Sequence, residues 1–231
     1  IDEQKVAFET IRSLVDEAIK TNQKHTIIVE GGPGTGKSVI AINLLAHFRD
    51  KIVSYVTKNA APKNVYLEKL TQNNFKKKYI EYLFKSSSAF IDANENDYDL
   101  LLVDEAHRLN EKSGIFSNKG ENQIKEIINA SKVSVFFIDE DQIVTTKDFG
   151  RIEEIKKQAR KLGSIIHSGD DLKLTSQFRC NGSLGYLAFL DDLLQIRDTA
   201  NKDGFDIDFD LQVYDSPTKM REDLRKKNTN N

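Results

Sequence analysis

The sequence predicts an α/β fold, a mostly parallel sheet with helices on both faces. Two observations carry that prediction. Strand-like apolar runs alternate with helical patterns along the chain, which is the order that produces a parallel sheet covered on both sides. In addition, "TIIVEGGPGTGKSVIAINLLAHF", residues 26–48, joins a strand to a helix through four glycines.

The elements follow in chain order. A helical pattern covers 5–20. The stretch 26–29 is β-branched and almost free of charge, and reads as a short buried strand. Val39, Ile40, Ile42, Leu44, Leu45 and Phe48 form the buried stripe of a helix over 37–49. "KIVSYV" (51–56), "DLLLVDE" (99–105) and "VSVFFIDE" (133–140) are the next strands. Helices are expected at 74–85, 120–130, 151–161 and 183–195, and the polar stretch 86–98 as a loop. Near the end, Ser216 suits an N-cap and Pro217 the first helical position, although that helix carries only Met220 and Leu224 as apolar residues.

The glycines explain the loop. Gly31, Gly36, Lys37 and Ser38 satisfy G-x-x-x-x-G-K-[ST], with the strand before and helix after that the motif requires. Glycine lets the backbone curl with positive φ and approach a ligand without a Cβ in the way. The N–H groups of Gly32, Gly34, Thr35 and Gly36, around Pro33, then point at one spot at the positive end of a helix and can hold phosphates. Lys37 adds a mobile charge for the β- and γ-phosphates, and the Ser38 hydroxyl can ligand Mg²⁺. A flexible turn with a stray lysine would need neither flanking element. ATP and Mg²⁺ are the expected ligands.

Carboxylates at strand ends supply the second part. Ligands gather at the carboxyl ends of strands in open parallel sheets. Asp104 would hold Mg²⁺, and Glu105 would orient or deprotonate the water attacking the γ-phosphate. A solvated acidic turn is the bland alternative, and the phosphate loop weighs against it. One strand later, Gln142 could bond the γ-phosphate or the attacking water without adding charge; otherwise it is a surface glutamine in a turn. Arg179, on an expected short strand in "LTSQFRCNGS" (174–183), suits either a phosphate contact or a structural ion pair.

Composition narrows the class. The 231 residues carry 34 basic and 36 acidic side chains, a net charge of −2, so no global field attracts nucleic acid or an anionic membrane. A single cysteine, Cys180, excludes an intramolecular disulfide and suits a reducing cytoplasm. No apolar run approaches the roughly 18 residues of a membrane span, and no signal peptide is visible. "NFKKKYIEYLFK" (74–85) interleaves lysines with aromatics, as a stacking surface does. Phe75, Tyr79, Tyr82 and Leu83 nevertheless share one helical face, which favours core packing.

With these residues in place, the chain resembles the first RecA-like domain of a superfamily 1 helicase, and most closely the Schlafen group 3-like DNA/RNA helicase family. The resemblance runs from "DEQKVAFETI" to about residue 194. It implies a RecA-like P-loop NTPase fold and puts Gln4 of "DEQKVA" on the adenine base. "VTKNAAP" (56–62) resembles the segment that touches single-stranded DNA or RNA, which implies Thr57, Lys58 and Asn59. "FFIDEDQ" resembles the motif linking γ-phosphate to strand movement, and "QFRC" the one whose arginine meets the phosphates, which favours that role for Arg179. The letters "DEAH" also occur in superfamily 2, but those helicases carry Ser-Ala-Thr where this chain has Asp139-Glu140-Asp141-Gln142.

Helicases of this kind close ATP between two RecA-like domains. Nothing after about residue 214 is long enough to be the second. The expected division is therefore 1–195 as the RecA-like domain and 196–231 as a linker and the truncated start of another, in a piece of a longer protein. Two other functions compete with an ATP-dependent helicase or translocase: an NTP-gated interaction module, and a ring-forming ATPase. The latter usually has Asn or Thr where Gln142 stands.

Overall fold

The computed structural model describes residues 2–58, 77–114, 118–143, 145–176, 184–199 and 212–229. Two compact units are present, Ile1–Gly182 and Ser183–Asn231, so the helix expected at 183–195 falls in the second unit rather than the first.

Among the described residues of the first unit, seven strands form one sheet: β1 His25–Gly31, β2 Val53–Thr57, β3 Phe84–Ser86, β4 Tyr98–Val103, β5 Ser131–Ile138, β6 Ile165–His167 and β7 Lys173–Leu174. Their spatial order is β3-β2-β4-β5-β1-β6, with β7 also paired to β1, and every pairing is parallel. All carboxyl ends therefore lie along one edge. The α/β architecture with a parallel sheet is as the sequence predicts.

Helices cover both faces because alternate strand residues point to opposite sides. Ile27, Val29, Tyr55, Leu102 and Val135 pack in one core with α1 (Asp2–Thr21), α2 (Lys37–His47) and α3 (Lys77–Leu83). Ile28, Val56, Leu101, Val103 and Phe136 pack in the other with α4 (Gln123–Ala130) and α5 (Ile152–Lys161). Burial on both faces is why these strands read as continuous apolar runs. Between strands, Thr26 Oγ1 lies 2.8 Å from Ser164 Oγ and 3.3 Å from Ser134 Oγ, so the buried hydroxyls satisfy one another.

The helix expected at 74–85 ends at Leu83, where β3 begins. Its face also differs. Ile80 is fully buried, whereas Tyr79 and Tyr82 are 41% and 37% exposed. Strands β6 and β7 are absent from the sequence reading, since three and two residues are too short to show a period. Within the expected loop 86–98, a 3-10 turn at Ser87–Phe90 buries Phe90.

The second unit contains α6 (Leu184–Leu193) and α7 (Pro217–Thr229). Thr199 Oγ1 donates to Ala188 O at 2.6 Å. Ser216 Oγ accepts from Lys219 N at 3.3 Å, the N-cap read from the sequence. Among the described residues, no helix is long and apolar enough to cross a membrane.

Candidate functional site

The chain leaves β1 at Gly31 and enters α2 at Lys37, and glycine conformations make that turn possible. Gly34 and Gly36 have φ of 78° and 93°, a region that costs a side chain but not glycine. A Cβ at Gly36 would lie 1.9 Å from Gln4 Nε2. The loop is tied inward: Thr35 Oγ1 donates to Gly32 O at 2.9 Å, and Gln4 Nε2 donates to Thr35 O at 2.8 Å. Lys37 is 6% exposed, with Nζ donating to Gly31 O and, at 2.8 Å, to Gly32 O. Its charge thus sits inside the curve of the loop.

The next strand end meets this loop through Asp104, which directly follows β4. Ser38 Oγ donates to Asp104 Oδ2 at 2.6 Å, and Tyr55 Oη donates to the same oxygen. The other oxygen accepts from Glu105 N at 3.1 Å. Asp104 is 5% exposed, so these donors hold its carboxylate in one orientation. Ser38 and Asp104 are the pair expected for Mg²⁺. Among the described residues, no cluster of three His, Cys, Asp or Glu side chains suits a metal. A hydroxyl beside one carboxylate fits a cation that keeps much of its water and takes phosphate oxygens.

Glu105 adopts φ 52° and ψ 46°, left-handed backbone that is strained for a non-glycine residue. Its Oε2 lies 3.1 Å from Nε2 of His107, a ring only 1% exposed. The hydrogen bond to His107, with the charges of His107, Lys37 and Arg108, outweighs desolvation and lowers the Glu105 pKa. The carboxylate is ionised at neutral pH. On the third strand end, Asp139 Oδ2 accepts from Gln142 Nε2 at 2.7 Å. That bond fixes which end of the Gln142 amide carries the oxygen.

Gln4, Lys37, Ser38, Glu105 and Gln142 line one cavity of about 390 Å³, together with Pro33, Gly34 and Gly36. Candidates from four separate stretches of the sequence therefore converge. Asp104 stands behind Ser38. Arg179 and Asn59 lie outside the described residues. The two remaining nucleic-acid candidates differ. Thr57 is 4% exposed, so its side chain is not a surface contact. Lys58 is 29% exposed and bonds Asn110 Oδ1 at 2.9 Å, with buried Asp148 at 3.4 Å. Arg108 approaches the same Asp148 oxygen at 3.5 Å.

Sequence reasoning missed three supporting residues. Tyr55 reads as a core strand residue and carries no signal of its hydroxyl's target. Asp139 looked like one acid among several. His107 was visible in "DEAH", two residues after Glu105, but the left-handed turn that brings them together was not.

The model of the family described as Schlafen group 3, DNA/RNA helicase domain, matches residues 24–231. No curated protein matches the chain.

Proposed function

The chain belongs to the Schlafen group 3 DNA/RNA helicase domain family, and from that premise we propose that it is the ATP-binding motor domain of an ATP-dependent DNA/RNA helicase or translocase. One observation carries the reading: Lys37, Ser38, Glu105 and Gln142, from three strand ends, line a single cavity with the glycine loop.

Each group has a task in this proposal. Loop N–H groups and the α2 N-terminus bind the phosphates of ATP. Lys37 exchanges its loop carbonyls for β- and γ-phosphate oxygens. Ser38 and Asp104 would hold Mg²⁺, which neutralises phosphate charge when bound. Glu105 accepts the proton of the attacking water, and its lowered pKa keeps it ionised for that purpose at some cost in basicity. Gln142 orients that water or bonds the γ-phosphate. Arg179 is the proposed further cation, and Gln4 the adenine contact. Lys58 and Asn59 are the proposed contacts to single-stranded DNA or RNA, the partner this family implies.

Calorimetry of Lys37→Ala tests the assignment. MgATP binding is expected to vanish while circular dichroism stays native. Two loop carbonyls lose a donor, so stability should fall by about 1–3 kcal/mol. A folded variant with wild-type ATP affinity would overturn the phosphate-site reading.

A further inference from the structure

A stretch of helix that buries no side chain in the core stays wound only through the contacts its own side chains make. In α1 the first buried side chain is Ala7, so core packing does not secure residues 2–6. Two side-chain grips lie there instead. Glu3 Oε2 accepts from Thr175 N at 2.7 Å and Ser176 N at 2.9 Å, and Oε1 accepts from Thr175 Oγ1 at 2.6 Å. These bonds span more than 170 residues of sequence, and they lower the Glu3 pKa to about 2. Their anchor is itself held, since Lys173 and Leu174 pair with Glu30 and Gly31 of β1. The next residue, Gln4, makes the second grip, on Thr35 O, with its amide against Gly36.

We propose that Glu3 is a positioning residue for Gln4: by gripping the chain as it leaves β7, its carboxylate keeps the first turn of α1 wound and the Gln4 amide seated on the glycine loop. Adjacent residues on one helical turn move together. If Glu3 lets go, the turn unwinds and Gln4 leaves the rim of the cavity. The consequence for nucleotide affinity rests on the ATP-site reading, while the positioning itself does not.

Glu3→Gln, Gln4→Ala and the double variant test this. Glu3 lies on the surface, so Glu3→Gln is expected to fold. The first readout is hydrogen exchange, without nucleotide, at Val6, Ala7 and Phe8, whose helical acceptors are the carbonyls of Asp2, Glu3 and Gln4. Exchange there should accelerate in Glu3→Gln and stay unchanged from Ile11 onward. The second readout is ATP affinity. A first turn wound only a tenth to a third of the time weakens binding by about 3- to 10-fold. In the Gln4→Ala background, Glu3→Gln should add nothing. Unchanged exchange at the three amides overturns the proposal. So does an equal loss of affinity in the Gln4→Ala background, which would route the effect through the chain running from Ser176 towards Arg179. Should wild type bind no ATP while exchange accelerates as expected, the ATP-site reading falls and the positioning role stands.

Discussion

At Glu105, backbone strain and chemistry coincide. Left-handed φ and ψ cost a non-glycine residue on the order of 1 kcal/mol or more, and this one persists where Asp104, His107 and the glycine loop converge. Two substitutions separate the effects. Glu105→Gly should raise unfolding free energy by about 1 kcal/mol, less the lost His107 contact, and abolish turnover. In a version carrying a second RecA-like domain, Glu105→Gln should keep ATP binding and lower kcat by about 10²- to 10⁴-fold, because an amide cannot take the proton. Near wild-type turnover in Glu105→Gln would move the base elsewhere. Acid sensitivity follows from the same residue. Its folded pKa lies below the ordinary 4.5, so its contribution to stability is present above about pH 4.5. It is lost as pH falls through the folded value. Denaturant midpoints between neutral pH and pH 3 should therefore fall less steeply for Glu105→Gln than for wild type.

Helix α3 shows how an element's face is decided. Phe75, Tyr79, Tyr82 and Leu83 are spaced for one face, but Ile80, Leu83 and Phe84 satisfy i, i+3, i+4 equally well. Periodicity alone cannot choose between them. Strand pairing does: Phe84 stands opposite Tyr55 in the β2–β3 ladder, with ring centroids 5.5 Å apart. That contact rotates the helix to bury Ile80 and leave Tyr79 and Tyr82 at the surface. Ile80→Ala should accordingly cost about 2–5 kcal/mol. Tyr79→Ser and Tyr82→Ser should each change stability by about 1 kcal/mol or less. Urea unfolding of the three variants measures this, and a large loss at Tyr82 with none at Ile80 would reverse the face.

For the whole molecule, the described residues that line the candidate cavity all belong to the first unit, between Gln4 and Gln142. Phosphoryl transfer depends on positive charge placed around the γ-phosphate, and an arginine supplied from elsewhere can be worth about 10³–10⁵ in rate. The 231-residue chain alone is therefore expected to hydrolyse ATP very slowly and to respond little to single-stranded DNA or RNA. Steady-state turnover of this chain, with and without single strands, compared with a version carrying a second RecA-like domain, checks the expectation. Equal rates would favour a self-sufficient ATPase or the NTP-gated module.

The sequence by itself determined the α/β class, the parallel sheet and most of the candidate site. These signals are local: a glycine loop needs its glycines in order, and carboxylates at strand ends are adjacent to the apolar runs that place them. Gly31 to Ser38, Asp104, Glu105 and Gln142 were legible for that reason. The tertiary structure decided what depends on partners distant in the chain. Tyr55 reaches Asp104 only because β2 lies beside β4, and His107 reaches Glu105 only through a strained turn. Thr57 is buried by its place in the sheet, and Glu3 acquires its role from a segment more than 170 residues away. Such contacts leave no period or spacing in the sequence, because loop closure, rather than local propensity, brings their atoms together.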